Sequence, residues 1–312
     1  MRSSRRTLLR GLLGGAGLTV AARPAWAGRR RPTFVLVHGS MSTTGFWAPL
    51  VRELAERGHR SLPVELPGHG IRSTLAPAYQ APQDADAFAR APSSTAALTL
   101  EDHVEHVVEL IRQVARHGPV VLVGHSLGGS SITRAACAVP DLVDHLVYVS
   151  AFCCVELKSP LDYLGTAEGR SGAAPAVPAT VDQSMVPSGV SRTNFRSGDP
   201  AFLRALKAAV LADVPADRFL AVLNAATQPD ETIGVSLADA RIDPTTWGRI
   251  PRTYVRLTAD RLVTPALQDR MIAEADRRAP RHRFAVREIR TSHLGVMLKH
   301  GELGRILGQV SA

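Results

Sequence analysis

The chain has 312 residues, a formal net charge of +9 and three cysteines. That length suits one sizeable core, and so few cysteines exclude a disulfide scaffold. Basic residues are scattered and aromatics scarce, which excludes a nucleic-acid surface; no Cys/His spacing suits a metal, so neither metal nor cofactor is expected.

The first stretch reads as a targeting signal. Ser4-Arg5-Arg6-Thr7-Leu8-Leu9 is a twin-arginine pattern, a mildly apolar run follows to about Ala22, and Ala25-Trp26-Ala27 fits an A-x-A cleavage site. Residues 1–27 are expected to engage the twin-arginine export machinery and be removed. The run is too short to span a membrane, and the alternative is an uncleaved amphipathic anchor. Five arginines and no acid precede the cleavage site, so the exported chain carries about +4. In an exported protein Cys137 could bridge Cys153 or Cys154; buried free thiols are the expectation.

From Thr33 strands and helices alternate. Strands are expected at Thr33–Val37, His59–Leu66, Pro119–Val123, His145–Ser150, Ile250–Thr258 and Arg283–Ile289. Helical spacing marks Phe46–Arg57, Ser130–Ala138, Pro265–Arg277 and Leu294–Leu307. Thr99 to Asp102 opens a helix like a capping box, with His103 and His106 towards solvent. Residues 71–98 have no clear period, and such a loop should hang over the C-terminal sheet edge. Residues 151–245 break the alternation and hold helical patterns at Ala201–Leu211 and Ala216–Ala226; they read as a cap inserted into the domain. The fold expected for residues 28–312 is therefore α/β, a doubly wound and mostly parallel sheet with an inserted cap.

The chemistry centres on Gly124-His125-Ser126-Leu127-Gly128-Gly129. An apolar β-branched run precedes it and a helix follows, the context of a nucleophile elbow. The glycines allow a turn too sharp for side chains, and Ser126 sits at its tip. A serine needs a base, and the base needs an orienting acid. In elbow-bearing hydrolases these follow in the order acid, then His. Asp260 and His293 stand in that order after the last two strands. Asp269 and Asp276 are rivals on a helix, His282 precedes the last strand, and His300 lies in the final helix. The N–H of Leu127 is expected to face an oxyanion, with a second donor from the N–H of Ser40 in the loop His38-Gly39-Ser40. His38 reads as a structural loop residue. Gly39, Phe152, Leu161, Tyr163, Leu164 and Leu294 are candidate pocket walls.

From Thr33 onward the chain resembles the α/β-hydrolase superfamily. Phe34-Val35-Leu36-Val37-His38-Gly39, the elbow, Val255-Arg256-Leu257-Thr258-Ala259-Asp260 and Ser292-His293-Leu294 resemble the plant methylesterase and hydroxynitrile lyase branch and its bacterial esterase relatives. Lyases of that branch carry threonine after the first-loop histidine and lysine after the catalytic histidine. Gly39 and Leu294 stand there in this chain, so the resemblance implies ester hydrolysis and disfavours cyanohydrin cleavage. The expected substrate is a small-molecule carboxylic ester, with a small or medium apolar acyl or alkoxy group. The same triad would serve a lactonase, a thioesterase or a C–C bond hydrolase, and a binding protein could retain it unused.

Overall fold

A computed structural model describes residues 31–173 and 176–310, so the expected signal segment, residues 1–27, lies outside the described residues. Six strands form one sheet: β1 Thr33–Val37, β2 Arg60–Val64, β3 Val120–His125, β4 His145–Val149, β7 Arg252–Leu257 and β8 Ala285–Ile289. Their order is β2-β1-β3-β4-β7-β8, and every pairing is parallel. Pro63 is tolerated in β2 because that strand is an edge, where a missing N–H breaks no interior ladder.

Alternate residues of the strands feed two cores. Val35, Val37, Leu122, Leu146 and Tyr148 pack under α3 Leu100–Ala115, α4 Gly128–Ala138 and α10 Pro265–Arg278. Phe34, Leu36, Val121, Val123, Val147 and Val149 face α1 Ala48–Glu56 and α11 His300–Val310. Burial on both faces explains why the central strands are continuous β-branched runs. The capping box forms as expected, with the Thr99 side chain on the Asp102 N–H and the Asp102 carboxylate on the Thr99 N–H. The closing helix expected over Leu294–Leu307 starts later: Gly295–Lys299 is a 3-10 turn, and the α-helix begins at His300. Cys137, Cys153 and Cys154 are free thiols, the latter two buried.

Between β4 and β7 the chain leaves the sheet. It forms α5 Pro160–Leu164, α6 Ala167–Arg170, β5 Val190–Arg192, α7 Pro200–Val210, α8 Ala216–Ala226, β6 Asp230–Thr232 and α9 Ile233–Leu237. Strands β5 and β6 pair antiparallel. Phe202, Leu206, Phe219 and Leu223 extend the α1/α11 core, whereas Tyr163, Val235 and Ile242 join the opposite one. The loop 71–98 contains a short helix, α2 Ala85–Arg90, and docks on this inserted segment: Tyr79 and Phe88 stack on each other and pack with Val181. The buried Arg192 clamps the two together. It meets both oxygens of Asp230 at 2.6 Å and donates to the carbonyls of Phe88, Ala89 and Ala91.

A second tie lies near the top of β1. His38, His69, His103 and Glu231 are all buried. The expected solvent-facing position of His103 is therefore wrong, and His106 is half-buried. The turn at Pro67–Gly70 covers the start of α3, and the His69 and His103 rings lie 5.8 Å apart. Burial, reinforced by the charge on His69, pushes His38 down to about 3, and burial pushes His103 down to about 4. Burial works against a charged His69, but the hydrogen bond and charge of Glu231 outweigh it and hold His69 above its ordinary value.

Asp230→Ala leaves the Arg192 guanidinium buried without its carboxylate, and is expected to cost about 3–5 kcal/mol in denaturant unfolding; a loss below about 1 kcal/mol would contradict the clamp. His38 and His103 resist protonation when folded and accept it freely when unfolded, so they withdraw stability as pH falls from about 6.5 towards 4. His103→Gln should flatten the fall of Tm across that window, and an unchanged slope would show that His103 does not contribute.

Candidate active site

Three loops at the C-terminal ends of β1, β3 and β8 meet over the sheet. The elbow is built by close backbone approach. Ser126 has φ 53°, a left-handed value that a non-glycine residue adopts only when its surroundings hold it there. A Cβ on Gly128 would sit 2.4 Å from the His38 carbonyl oxygen, and one on Gly129 would sit 2.2 Å from that of Phe152. Gly39 is as tightly constrained, since its Cβ would meet the Ser126 Cβ at 2.6 Å. The loop after β1 thus lies directly on the elbow. Helix α4 starts immediately after Leu127, and among the described residues neither the Leu127 nor the Ser40 backbone N–H has an acceptor. Both are free to receive a negative charge, as helix starts and tight loops commonly do.

His293 is buried beyond the end of β8, and its Nδ1 donates to Asp260 Oδ2 at 2.6 Å. Asp260 is equally buried and fully occupied. Oδ2 also accepts the Ser150 hydroxyl at 2.6 Å, and Oδ1 accepts the N–H groups of Leu262 and Val263 at 2.7 and 3.1 Å. Four donors fix the carboxylate in position. The His293 carbonyl accepts from His125 Nε2 at 3.2 Å, and the two rings are tilted with centroids 4.5 Å apart. His125, next to Ser126 in the chain, thereby ties the elbow to the loop that bears His293. Among the described residues the Ser126 hydroxyl makes no hydrogen bond, and the residue keeps 6% exposure.

The inserted segment reaches both flanking loops. Asp213, at the surface of the turn between α7 and α8, accepts the Thr291 hydroxyl at 2.6 Å and the Ser292 N–H at 3.1 Å, and also bonds the Ser292 hydroxyl. Leu294 donates its N–H to the Val210 carbonyl at 2.9 Å. Glu231 on β6 accepts the Met41 N–H at 2.9 Å, one residue beyond Ser40. His38 is tied into the fold, donating through Nδ1 to the Gly39 carbonyl and accepting from the Leu66 N–H.

The rival acids and bases are engaged elsewhere. Asp269 is exposed and pairs with Arg256, Asp276 accepts the Phe284 N–H, and His282 precedes β8. Among the expected pocket walls, Gly39 adjoins Ser126, and the Phe152 N–H bonds the Ser126 carbonyl. Leu294 packs against the α1/α11 core. The other three belong to different surroundings. Leu161 stands 47% exposed, Leu164 packs with the opposite core, and Tyr163 is buried with its hydroxyl held by Glu274 and the N–H groups of Val155 and Glu156. Their small-residue neighbourhood carried no period from which this placement could be read. Sequence reasoning also missed Ser150, Asp213 and Glu231. Each acts across more than 70 residues of chain, at |i−j| of 110, 78 and 190, so no local pattern signals them.

The chain is similar to known proteins. Methylesterase 18 of Arabidopsis thaliana is 26% identical over 257 residues, spanning 77% of this chain and 84% of that protein. Putative methylesterase 14, chloroplastic, of the same plant is 24% identical over 246 residues, spanning 77% of this chain and 62% of its own length. Two solved structures share the fold: a pyrethroid hydrolase from Sphingobium faniae JZ-2, with TM-score 0.64, 19% identity and coverage of 90% and 97%, and an extracellular alpha/beta-hydrolase from a Paenibacillus species, with TM-score 0.62, 22% identity and coverage of 90% and 99%. Residues 34–303 match the model of the Alpha/beta hydrolase family, and with most of its length so matched the chain belongs to that family.

Proposed function

We propose that this protein hydrolyses carboxylic esters through an acyl-enzyme, with Ser126 as nucleophile, His293 as base and Asp260 as the acid that orients it. The hydrogen bond from His293 Nδ1 to Asp260 carries the reading, because it leaves Nε2 as the free nitrogen of the ring. Ser126 Oγ attacks the acyl carbon while its proton passes to His293 Nε2. The carbonyl oxygen becomes an oxyanion and accepts the N–H groups of Leu127 and Ser40. His293 then returns the proton to the leaving alkoxide and the alcohol departs. Water attacks the acyl group, His293 takes its proton, and the carboxylic acid leaves as Ser126 is reprotonated. Asp260 keeps the imidazole in the required tautomer and stabilises its charged form throughout.

The methylesterase names of its relatives support a small alkoxy group as the part expelled. Residues 151–245 act as the cap over the nucleophile, with Gly39, Phe152 and Leu294 bordering the site. Export by the twin-arginine route after cleavage near Ala27 fits the leader pattern, and the extracellular Paenibacillus neighbour is consistent with it.

Ser126→Ala is expected to reduce turnover of an activated short-chain ester by roughly 10⁴-fold or more with Tm preserved. Retained turnover would end the assignment. Across esters of graded size, kcat/KM should fall as the alkoxy group lengthens beyond methyl and ethyl; a maximum at long alkoxy chains would contradict the proposed leaving group.

A further inference from the structure

The oxyanion loop contains a strained residue. Met41 has φ 49°, a left-handed conformation that a long side chain disfavours and that persists only when the surroundings fix it. The Met41 N–H donates to Glu231 Oε2 at 2.9 Å, and the preceding N–H, that of Ser40, is the oxyanion donor of the proposed mechanism. Glu231 is itself held on all sides. Its Oε1 accepts the Thr232 N–H at 3.0 Å, and its Oε2 also meets His69 Nε2 at 3.2 Å. His69 in turn donates through Nδ1 to the Pro67 carbonyl at 2.8 Å. Both ring nitrogens face oxygen acceptors, an arrangement that suits the charged imidazolium.

The pair is almost fully buried, with side-chain exposures of 0% for His69 and 4% for Glu231. Burial alone would raise the Glu231 carboxyl, but the hydrogen bond and charge of His69 hold it below its ordinary range. The groups around His69 are His38, His103 and Glu65, besides Glu231. Behind the loop lies a cavity of 10 Å³, room for about one water, lined by Gly39, Leu127, Glu231, His103 and Ser131. His103 Nε2 and Ser131 Oγ are buried without partners among the described residues. The inserted segment thus braces both backbone polar groups of Met41, the carbonyl through the Gln228 N–H at 2.9 Å and the N–H through Glu231, and the second of these adjoins the Ser40 N–H.

We infer that Glu231, charge-paired with His69, is a positioning residue that holds the Ser40 N–H in place for the oxyanion. The inference rests on the proposed ester hydrolysis. An oxyanion donor acts in the transition state, so its misplacement lowers kcat and leaves ground-state binding alone.

Glu231→Ala should lower kcat by about 10²-fold, the scale of losing one oxyanion donor, with KM within threefold. It should also abolish protection of the Met41 amide in hydrogen–deuterium exchange. Glu231→Gln, which keeps an acceptor at that place but not the charge, should recover most of the Met41 protection and leave a kcat deficit of about 3–10-fold. If the alanine variant does not fold, the glutamine variant decides, and a kcat equal to the parent's overturns the proposal. A folded Glu231→Ala protein with parental kcat, or one that loses KM instead, overturns it too. If the parent protein turns over no ester yet Glu231→Ala strips protection from Met41, the hydrolase reading fails and the loop brace stands.

Discussion

Ser126 holds its left-handed turn where glycines let neighbouring segments close in around it. Gly39, Gly124, Gly128 and Gly129 each meet a neighbour closer than a Cβ allows. Main chain from β1, β3 and the stretch after β4 is thereby drawn into one small volume. The parallel sheet supplies the rest, because every strand delivers its C-terminal loop to the same edge. Strain at one residue is thus distributed over a rigid scaffold, as preorganisation requires.

The inserted segment is tied to the loops that flank the elbow. It sends one carboxylate to each flanking loop, Asp213 to the loop bearing His293 and Glu231 to the loop bearing Ser40. Asp260 shows the same logic within the core domain, where four donors fix both of its oxygens. Carboxylates suit such work, since each oxygen can accept two hydrogen bonds and main-chain N–H groups at loop tips are otherwise unpaired. The segment also packs into both hydrophobic layers, so it is anchored independently of the site.

The parts legible from sequence are those with a local cause. Val120 to Val123 announces a strand because both of its faces are buried, and the elbow announces itself through glycines at fixed spacing. Chain order and places at strand ends single out Asp260 and His293, and the structure joins the two by a hydrogen bond. His103 was not legible, because helical periodicity shows which face is apolar but not what later folds over the other one. The 71–98 loop lacked period, and residues 151–245 showed it only at Ala201–Leu211 and Ala216–Ala226, where α7 and α8 form. Their structure is set by docking, through Arg192 on the carbonyls of Phe88, Ala89 and Ala91, and such pairing across about a hundred residues leaves no trace in composition. Tyr163 misled for the same reason: an aromatic in a small-residue stretch suggests a pocket, whereas its hydroxyl ties down a loop.

The adjacent thiols of Cys153 and Cys154 have a practical meaning. Both are enclosed, and burial pushes the Cys153 thiol up to about 12 and that of Cys154 higher than usual, so the reactive thiolate is almost absent in the native protein. An oxidising environment therefore finds little to attack while the sheet is closed. Alkylation of this dipeptide becomes a clock for opening of the β4 region, recording how often the molecule breathes rather than how fast it turns over.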